Sequence, residues 1–302
     1  PVYEANYTEV SKFVFLGLSS HHRPMQYFLL ALSTISYVSI VLGNFLIVFT
    51  VNFDSHLHTP MYFLLANLSF IDLCFSTLAV PKMIADLYTG HKIISFQGCI
   101  LQIFALHVLG GSEMLLLIAI QYVVICKPLH YLTIMNPQMC ILLLSGTSVI
   151  GLIHSVVQLT FVVHLHFCDP NEIDSFYCDL PWFIKVACTD TYTVAFMVTA
   201  NSGFISMGTY LLLIISYIFI LLTGLLKVLS TLSAHIFVVI LFFRPCIFIY
   251  TWIFPVPVDK FLAILDFMIT PILNPAIYTL RNRDMKMALR KLSIQLLSLK
   301  IF

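Results

Sequence analysis

Apolar residues run along this chain in stretches longer than a soluble helix or strand requires. Tyr27 to Val51, Met139 to Val163 and Tyr192 to Leu226 contain no Asp, Glu, Lys or Arg. Four more carry one charge each: Pro60 to Pro81 with Asp72, Ile93 to Cys126 with Glu113, Val228 to Val258 with Arg244, and Phe261 to Leu280 with Asp266. About 20 residues of helix cross a hydrocarbon core of roughly 30 Å, so the pattern predicts seven spans. Alternating strands of about ten residues, the signature of an outer-membrane barrel, are absent, and helices are the remaining way to satisfy backbone groups in lipid.

Composition narrows the class. Of 302 residues, 60% are hydrophobic and 10% charged, against roughly 45–50% and 25% in soluble domains; mean hydropathy is +0.98. So little charge cannot solvate a globule of this size. The apolar content excludes disorder, and 11 Gly, 13 Pro and 8 Cys exclude collagen-like and small disulfide-scaffold chains. The chain reads as one all-α membrane domain, residues 1–302, with spans near 27–51, 60–81, 93–126, 139–163, 192–226, 228–258 and 261–280.

The net charge of +1 conceals a polarised distribution. Arg281, Arg283, Lys286, Arg290, Lys291 and Lys300, with Lys127 and Lys227, give one face eight cations against Asp54 and Asp284. The opposite face has more acids than bases. The Lys/Arg bias therefore assigns the tail 281–302 to the cytoplasm and the N-terminal segment 1–26 to the outside. Asn6-Tyr7-Thr8 is an N-glycosylation sequon on that outer segment. No signal peptide is expected, since the first long apolar run begins at Tyr27 without a small-residue cleavage site, and the first span serves as insertion signal. The basic run Arg281 to Lys291 predicts a short amphipathic eighth helix along anionic lipid.

Cys99 falls at the outer mouth of the third span, and Cys168, Cys178 and Cys188 lie in the long loop from His164 to Thr191. Four thiols on the outer side suggest two bridges, with three pairings open. A zinc site at His164, His166 and Cys168 competes, but lacks the paired cysteine spacing of structural zinc sites. A connection this long is usually functional, and a stapled lid over the bundle is expected.

Motifs on several spans then converge. Phe13-Val14-Phe15-Leu16-Gly17-Leu18 precedes the first span and Gly43-Asn44 lies within it. Pro60-Met61-Tyr62-Phe63-Leu64-Leu65-Ala66-Asn67-Leu68-Ser69 opens the second, and Lys127-Pro128-Leu129-His130-Tyr131 follows the third. Ser216-Tyr217 is in the fifth, Leu232-Ser233-Ala234-His235 enters the sixth, and Pro271-Ile272-Leu273-Asn274-Pro275-Ala276-Ile277-Tyr278 is in the seventh. With these motifs the sequence resembles olfactory (odorant) receptors of the rhodopsin-like G-protein-coupled class, most closely the tetrapod family 4 group.

The resemblance implies a plasma-membrane receptor of olfactory sensory neuron cilia that binds small volatile molecules and activates a stimulatory olfactory G protein, raising cyclic AMP. It pairs Cys99 with Cys178 and Cys168 with Cys188. By position, it draws the ligand wall from Leu106, His107, Gly110 and Gly111 on the third helix and from Asn201, Ser202 and Ile205 on the fifth. Tyr250 and Ile253 on the sixth and Ala263, Ile264 and Phe267 on the seventh complete it. Such a wall suits a mostly apolar ligand oriented by a few polar groups. Asp72 and Glu113 are intramembrane carboxyls, which mark an interior site by default; facing each other they repel unless a cation or proton sits between. The resemblance implies sodium there, with Ser69, Ser112 and Asn274 as oxygen donors. Asp266 either lines the pocket or caps a polar cluster. Pro275 kinks the seventh helix, and Tyr217, Asn274 and Tyr278 join it as switch residues. No other cofactor and no nucleic-acid partner is implied.

Four departures bear on signalling. Where the family has Met-Ala-Tyr/Phe-Asp-Arg-Tyr, this chain has only Ile120-Gln121-Tyr122 between Ala119 and Val123. About three residues are missing and Gln121 stands in place of the arginine; three residues are roughly 4.5 Å of helix and a rotation of about 60°. The third inner loop is also shorter, with Gly224-Leu225-Leu226-Lys227 in place of a basic Gly/Ser-rich stretch. Arg244 replaces a glycine deep in the sixth span, and Ser148 replaces a tryptophan in the fourth. These changes predict weakened or lost coupling. A transporter or channel is the alternative class, but internal repeats are absent. An enzyme is not expected, because His-Glu-x-x-His, a nucleophile elbow and a phosphate-binding glycine loop are absent. A photoreceptor would need a Schiff-base lysine that Phe261 to Leu280 lacks.

Overall fold

The computed structural model describes residues 10–17, 23–134, 136–167, 171–222, 259–281 and 283–299. In chain order the elements are β1 (Lys12–Phe15), α1 (Arg23–Phe53), a 3₁₀ turn (Ser55–Leu57), α2 (Pro60–Thr89), β2 (Ile93–Ser95), α3 (Phe96–Ile134) and α4 (Pro137–Val162). There follow β3 (Glu172–Ile173), α5 (Leu180–Lys185), α6 (Tyr192–Leu222), α7 (Asp259–Ile264), a π-helical turn (Leu265–Ile269), α8 (Thr270–Arg281) and α9 (Arg283–Leu299). The sixth predicted span, 228–258, lies outside the described residues, as do Asn6, Cys168 and Arg244. Among the described helices α1, α2, α3 and α4 are long and apolar enough to cross a membrane. Their outward faces are apolar, as Phe28, Ile35, Leu42 and Phe45 on α1 and Ile141, Leu142, Val149 and Ile153 on α4 illustrate. The protein is a membrane protein built on a helical bundle.

Two helices outrun their predicted ends. α2 continues through Pro81 to Thr89 and stops at Gly90, whose φ of +73° is the left-handed conformation glycine adopts freely. α3 continues through Pro128 to Ile134. At 1.5 Å per residue its 39 residues measure about 58 Å, so its last turns project beyond the hydrocarbon.

Prolines in the seventh predicted span set the packing of the bundle. Pro271 has no N–H for the carbonyl of Phe267, and Pro275 has none for that of Pro271. Both carbonyls are taken by neighbouring helices. Ser76 Oγ on α2 donates to the Phe267 oxygen at 2.9 Å, and Asn44 Nδ2 on α1 donates to the Pro271 oxygen at 2.9 Å. Asn44 gets this close because Gly43 lies against the Pro275 ring; a methyl on Gly43 would be 3.1 Å from Pro275 Cβ. α3 and α4 approach similarly through Gly151, where a methyl would meet Ser112 Oγ at 2.6 Å and the Val108 oxygen at 2.7 Å. Ser155 Oγ donates to the Phe104 oxygen at 2.8 Å across the same crossing.

One feature departs from the all-α expectation. β1 pairs antiparallel with β2 (Lys12 with Ser95, Val14 with Ile93) and parallel with β3 (Val14 with Glu172, Phe15 with Ile173). The alternation that drives Phe13 and Phe15 inward, at 0% and 1% exposure, spans only four residues, too short to stand out beside the helical runs.

At the opposite end α9 docks through Met285, Ala288 and Leu292, three buried residues on one helical face. Tyr62 Oη donates to Asp284 Oδ2 at 3.3 Å, and Lys291 Nζ lies 3.5 Å from Asp54 Oδ2. The His56 backbone N–H, together with Lys291 and against the effect of burial, holds the Asp54 carboxyl below its ordinary value of 3.8.

Three outcomes follow for thermal unfolding in detergent. Gly151→Ala is expected to cost about 1–3 kcal/mol by overpacking, whereas Gly146→Ala, with nothing within 4 Å, should leave the melting temperature unchanged or slightly raised. Asn44→Leu should destabilise by about 1–3 kcal/mol by orphaning the Pro271 carbonyl. For Asp54, whose folded-state affinity for protons is depressed, the stabilisation is present above pH 3.8 and disappears as pH falls through the lower folded value. Melting curves of wild type and Asp54→Asn should therefore differ at neutral pH and converge in acid.

Candidate functional site

The lid begins at a covalent anchor. Cys99, in the first turn of α3, is bonded to Cys178 with a Cα separation of 5.4 Å. One turn further, Gln102 reads the same strand of loop: its Oε1 accepts the Cys178 N–H at 2.8 Å, and its Nε2 donates to the Leu78 oxygen of α2 at 2.6 Å. Asp179 caps α5, accepting the Leu180 N–H at 2.8 Å, and also accepts the Tyr177 hydroxyl at 3.2 Å. Cys188 is disulfide-bonded as well; Cys168, its expected partner, is outside the described residues. Lys260 Nζ, 2.7 Å from Asp174 Oδ1, ties the loop to the start of α7. Phe13 of β1 sits among Phe96, Phe167 and Phe183 with ring centroids 5.4 to 6.1 Å away.

Beneath this lid lies a cavity of about 80 Å³. Seven of the residues expected to form the ligand wall line it: Leu106, His107, Gly110 and Gly111 on α3, Ser202 and Ile205 on α6, and Phe267 in the π-helical turn. Asn201 stands behind it and contacts His154, Nδ2 to Nδ1, at 3.4 Å. Ala263 and Ile264 pack in the apolar cluster that backs Phe267. Tyr250 and Ile253 are outside the described residues. Asp266 lines the cavity, which decides between the two roles left open for it. The extra residue of the π-helical turn shifts the helical phase and brings Asp266 and Phe267 both to the inner side.

The remaining described wall consists of Phe75, Met114, Ser206, His154, Tyr177 and Asp179. Tyr177 and Asp179 flank Cys178, so a bridge to α3 carries them over the bundle; that was a usable signal. His154 is the only histidine within α4, which was a second. The aromatic surface is dense: Phe267 lies 4.7 Å from Phe75 and 4.8 Å from Tyr177 by ring centroids. Several of the polar groups are held. His107 Nδ1 is 2.9 Å from the Ile103 oxygen, the rings of His107 and His154 are 5.8 Å apart, and Gln158 hydrogen-bonds Ser202 Oγ and the Val198 oxygen. A mostly apolar space with fixed polar groups suits a small, weakly polar molecule.

Deeper in the bundle, Asn274 Nδ2 on α8 donates to Asp72 Oδ2 on α2 at 2.6 Å. Glu113 on α3 is an electrostatic neighbour of Asp72, and both are buried. Two buried carboxyls that repel each other are eased by a proton or a cation between them. Ser69 Oγ, Asp72 Oδ1 and Asn274 Oδ1 are buried without a hydrogen-bond partner, which is a donor set fit for a hard cation. Ser112 is turned elsewhere, bonding the Val108 oxygen at 2.7 Å beside Gly151 of α4. The side chains of Gln121, Tyr122, Tyr217 and Tyr278 fall outside the description, although their backbone is helical.

Comparison with known proteins agrees along nearly the whole length. The family described as olfactory receptor matches residues 32–296. The chain is 58% identical to olfactory receptor 4F15 of Homo sapiens over 302 residues, 96% of each chain. It is 59% identical to human olfactory receptor 4F6 over 299 residues, 95% of this chain and 96% of the relative, and 52% identical to human olfactory receptor 4K15 over 300 residues, 96% and 92%.

The glycines of α3 separate cavity from scaffold. A methyl on Gly110 would meet only Phe75 Cε2, at 3.6 Å, so Gly110→Ala should fill the cavity without disturbing the fold. A methyl on Gly111 would lie 3.2 Å from Gly151 Cα. In a binding assay independent of G protein, Gly110→Ala is expected to weaken cavity-filling ligands by about tenfold at unchanged melting temperature. Gly111→Ala should lower the melting temperature instead.

Proposed function

This chain belongs to the olfactory receptor family, and we propose that it takes up small volatile, mostly apolar molecules in the cavity beneath the lid and reports them to a stimulatory olfactory G protein, with cyclic AMP as output. The observation that carries this reading is the cavity beneath the lid, whose mostly apolar surface is set with polar groups from α3, α4, α6 and the loop. Being a receptor of this family, the chain is not an enzyme.

In this reading Phe75, Leu106, Ile205 and Phe267 supply apolar contact, while His107, His154 and Ser202 orient the ligand's polar atom. Phe267 stacks on Phe75 and belongs to the π-helical turn, so a ligand pressing on that ring acts on the helix that also contains Pro271 and Pro275. Helices interrupted by prolines are where two packings of similar energy are available. The second layer of the proposal is sodium held by Asp72 Oδ1, Ser69 and Asn274, with Glu113 adjacent. When bound, the ion supplies the positive charge that lets the two carboxyls remain close, and its release on activation would free Asn274. The proposed location is the plasma membrane, in olfactory cilia, with Asn6 glycosylated outside, the Cys168–Cys188 bridge closing the lid and α9 lying along inner-leaflet lipid.

Coupling is the weak link. The inner end of α3 lacks about three residues and the Asp-Arg pair, so the face expected to meet the G protein is shortened and rotated relative to the cavity. Arg244 adds a cation to the sixth predicted span. We expect odorant binding to persist and cyclic-AMP output to be small. The measurement is a cyclic-AMP reporter in cells with verified surface expression, comparing this chain with one in which Asp-Arg-Tyr is restored. The restored chain should respond several-fold more strongly; equal responses would overturn the coupling defect. For the ion, the melting temperature should rise with sodium but not with an organic cation of equal ionic strength, and Asp72→Asn should abolish the difference.

A further inference from the structure

Four side chains join α4 to α6 at the edge of the lidded cavity. His154 and Gln158 are one turn apart on the same face of α4, and their partners Asn201 and Ser202 are consecutive on α6. Asn201 Nδ2 lies 3.4 Å from His154 Nδ1. Gln158 Nε2 donates to Ser202 Oγ and, at 3.3 Å, to the Val198 oxygen. His154 and Ser202 line the cavity, with Asn201 and Gln158 behind them.

These contacts fix where the hydrogens are. An amide nitrogen only donates, so His154 Nδ1 accepts from Asn201, and the proton of the neutral ring is on Nε2. The ring carbon bonded to that nitrogen, Cδ2, is the atom that a methyl on Gly111 would approach at 3.7 Å, and Gly111 is itself part of the wall. The Val198 carbonyl only accepts, which makes the Gln158 atom shared with Ser202 the nitrogen. Ser202 Oγ is therefore the acceptor in that bond and keeps its own hydrogen. Among the described residues nothing accepts the His154 Nε2–H or the Ser202 hydroxyl. Other donors on the described wall are engaged: Ser206 Oγ with Met114 Sδ at 3.9 Å, His107 Nδ1 with the Ile103 oxygen at 2.9 Å, and the Tyr177 hydroxyl with Asp179 at 3.2 Å.

Two donors in mostly apolar surroundings call for a group that accepts. A ketone or aldehyde oxygen has two lone pairs and no hydrogen, and projects from its carbon chain. An ether oxygen also only accepts, but is embedded within its chain. An alcohol brings a further hydrogen, which has to turn away from this wall. A carboxylate accepts equally well but shares the cavity with Asp179 and Asp266, whose like charge disfavours it. An amine sets its own hydrogens against those of α4 and α6. We infer that the cavity selects uncharged carbonyl compounds, ketones or aldehydes, whose oxygen accepts from Ser202 Oγ and His154 Nε2. This inference rests on the reading of the cavity as the odorant site and names the ligand class that the site takes.

The test uses the full chain in nanodiscs without G protein, with affinities measured by ligand-detected NMR. The probes have the same size: methyl propyl ketone, the corresponding alcohol and amine, butyl methyl ether, and the branched hydrocarbon with a methyl in place of the oxygen. The ketone should bind at least about fivefold more tightly than the others, and its isotope-edited infrared carbonyl stretch should fall to lower frequency on binding. Ser202→Ala and His154→Phe should each diminish the preference and the infrared shift, Ser202→Thr should retain both, and the hydrocarbon's unchanged affinity reports that the variants keep the cavity. The wild-type infrared shift needs no variant. Equal affinity across the set, preference for any other probe, or a carbonyl stretch that does not move would overturn the inference while leaving the cavity a ligand site. Binding by none of the probes would overturn the odorant reading of the cavity, and this inference with it.

Discussion

Every backbone carbonyl that loses its helical partner inside this bundle must find another donor, because lipid offers none. The seventh predicted span frees two of them, at Phe267 and Pro271, by placing prolines four residues on. Ser76 and Asn44 answer them, and in doing so fix α2 and α1 against α8. The arrangement also explains Gly43: without a side chain there, the Pro275 ring and the Asn44 amide reach their places together. Packing and hydrogen bonding are thus one constraint, since losing either loosens both.

The same helix carries the π-helical turn that presents Asp266 and Phe267 to the cavity. Floor and hinge are therefore parts of one irregular segment, held laterally by single side-chain hydrogen bonds. The roof is held differently. A disulfide, the bifunctional Gln102 and a four-phenylalanine cluster pin the long loop to α2, α3 and β1. Roof and floor are thus held by different means, the first by a covalent bond and ring packing and the second by single side-chain hydrogen bonds.

The inner end of α3 departs from the expected motif without breaking the helix. The chain stays helical from Ala119 to Ile134, because backbone hydrogen bonds care little which residues supply them. Leu106, Gly110 and the other α3 residues of the cavity wall lie before this departure and keep their register with one another.

Hydrophobic runs sufficed for a bundle of long apolar helices, and the motifs for the family, because helical periodicity and bilayer thickness act locally along a chain; half of the described cavity wall coincides with residues drawn from family position. Boundaries were less legible: α2 and α3 continue past their predicted ends, since a single proline removes one hydrogen bond without ending a long helix. Four residues of β1 gave too short an alternation to reveal a strand, and its partners are 78 or more positions away. Ser112, drawn to the carboxyl cluster by family position, also lies at the α3–α4 contact, donating to the Val108 oxygen beside Gly151. Tyr177, Asp179 and His154 reached the cavity only through the disulfide and the helix crossing. The sequence by itself determined which segments are apolar, which face is basic and which residues are chemically capable. Only the tertiary structure decided which of those residues meet, since meeting depends on helix phase, on glycine contacts and on donors arriving from segments far apart in the chain.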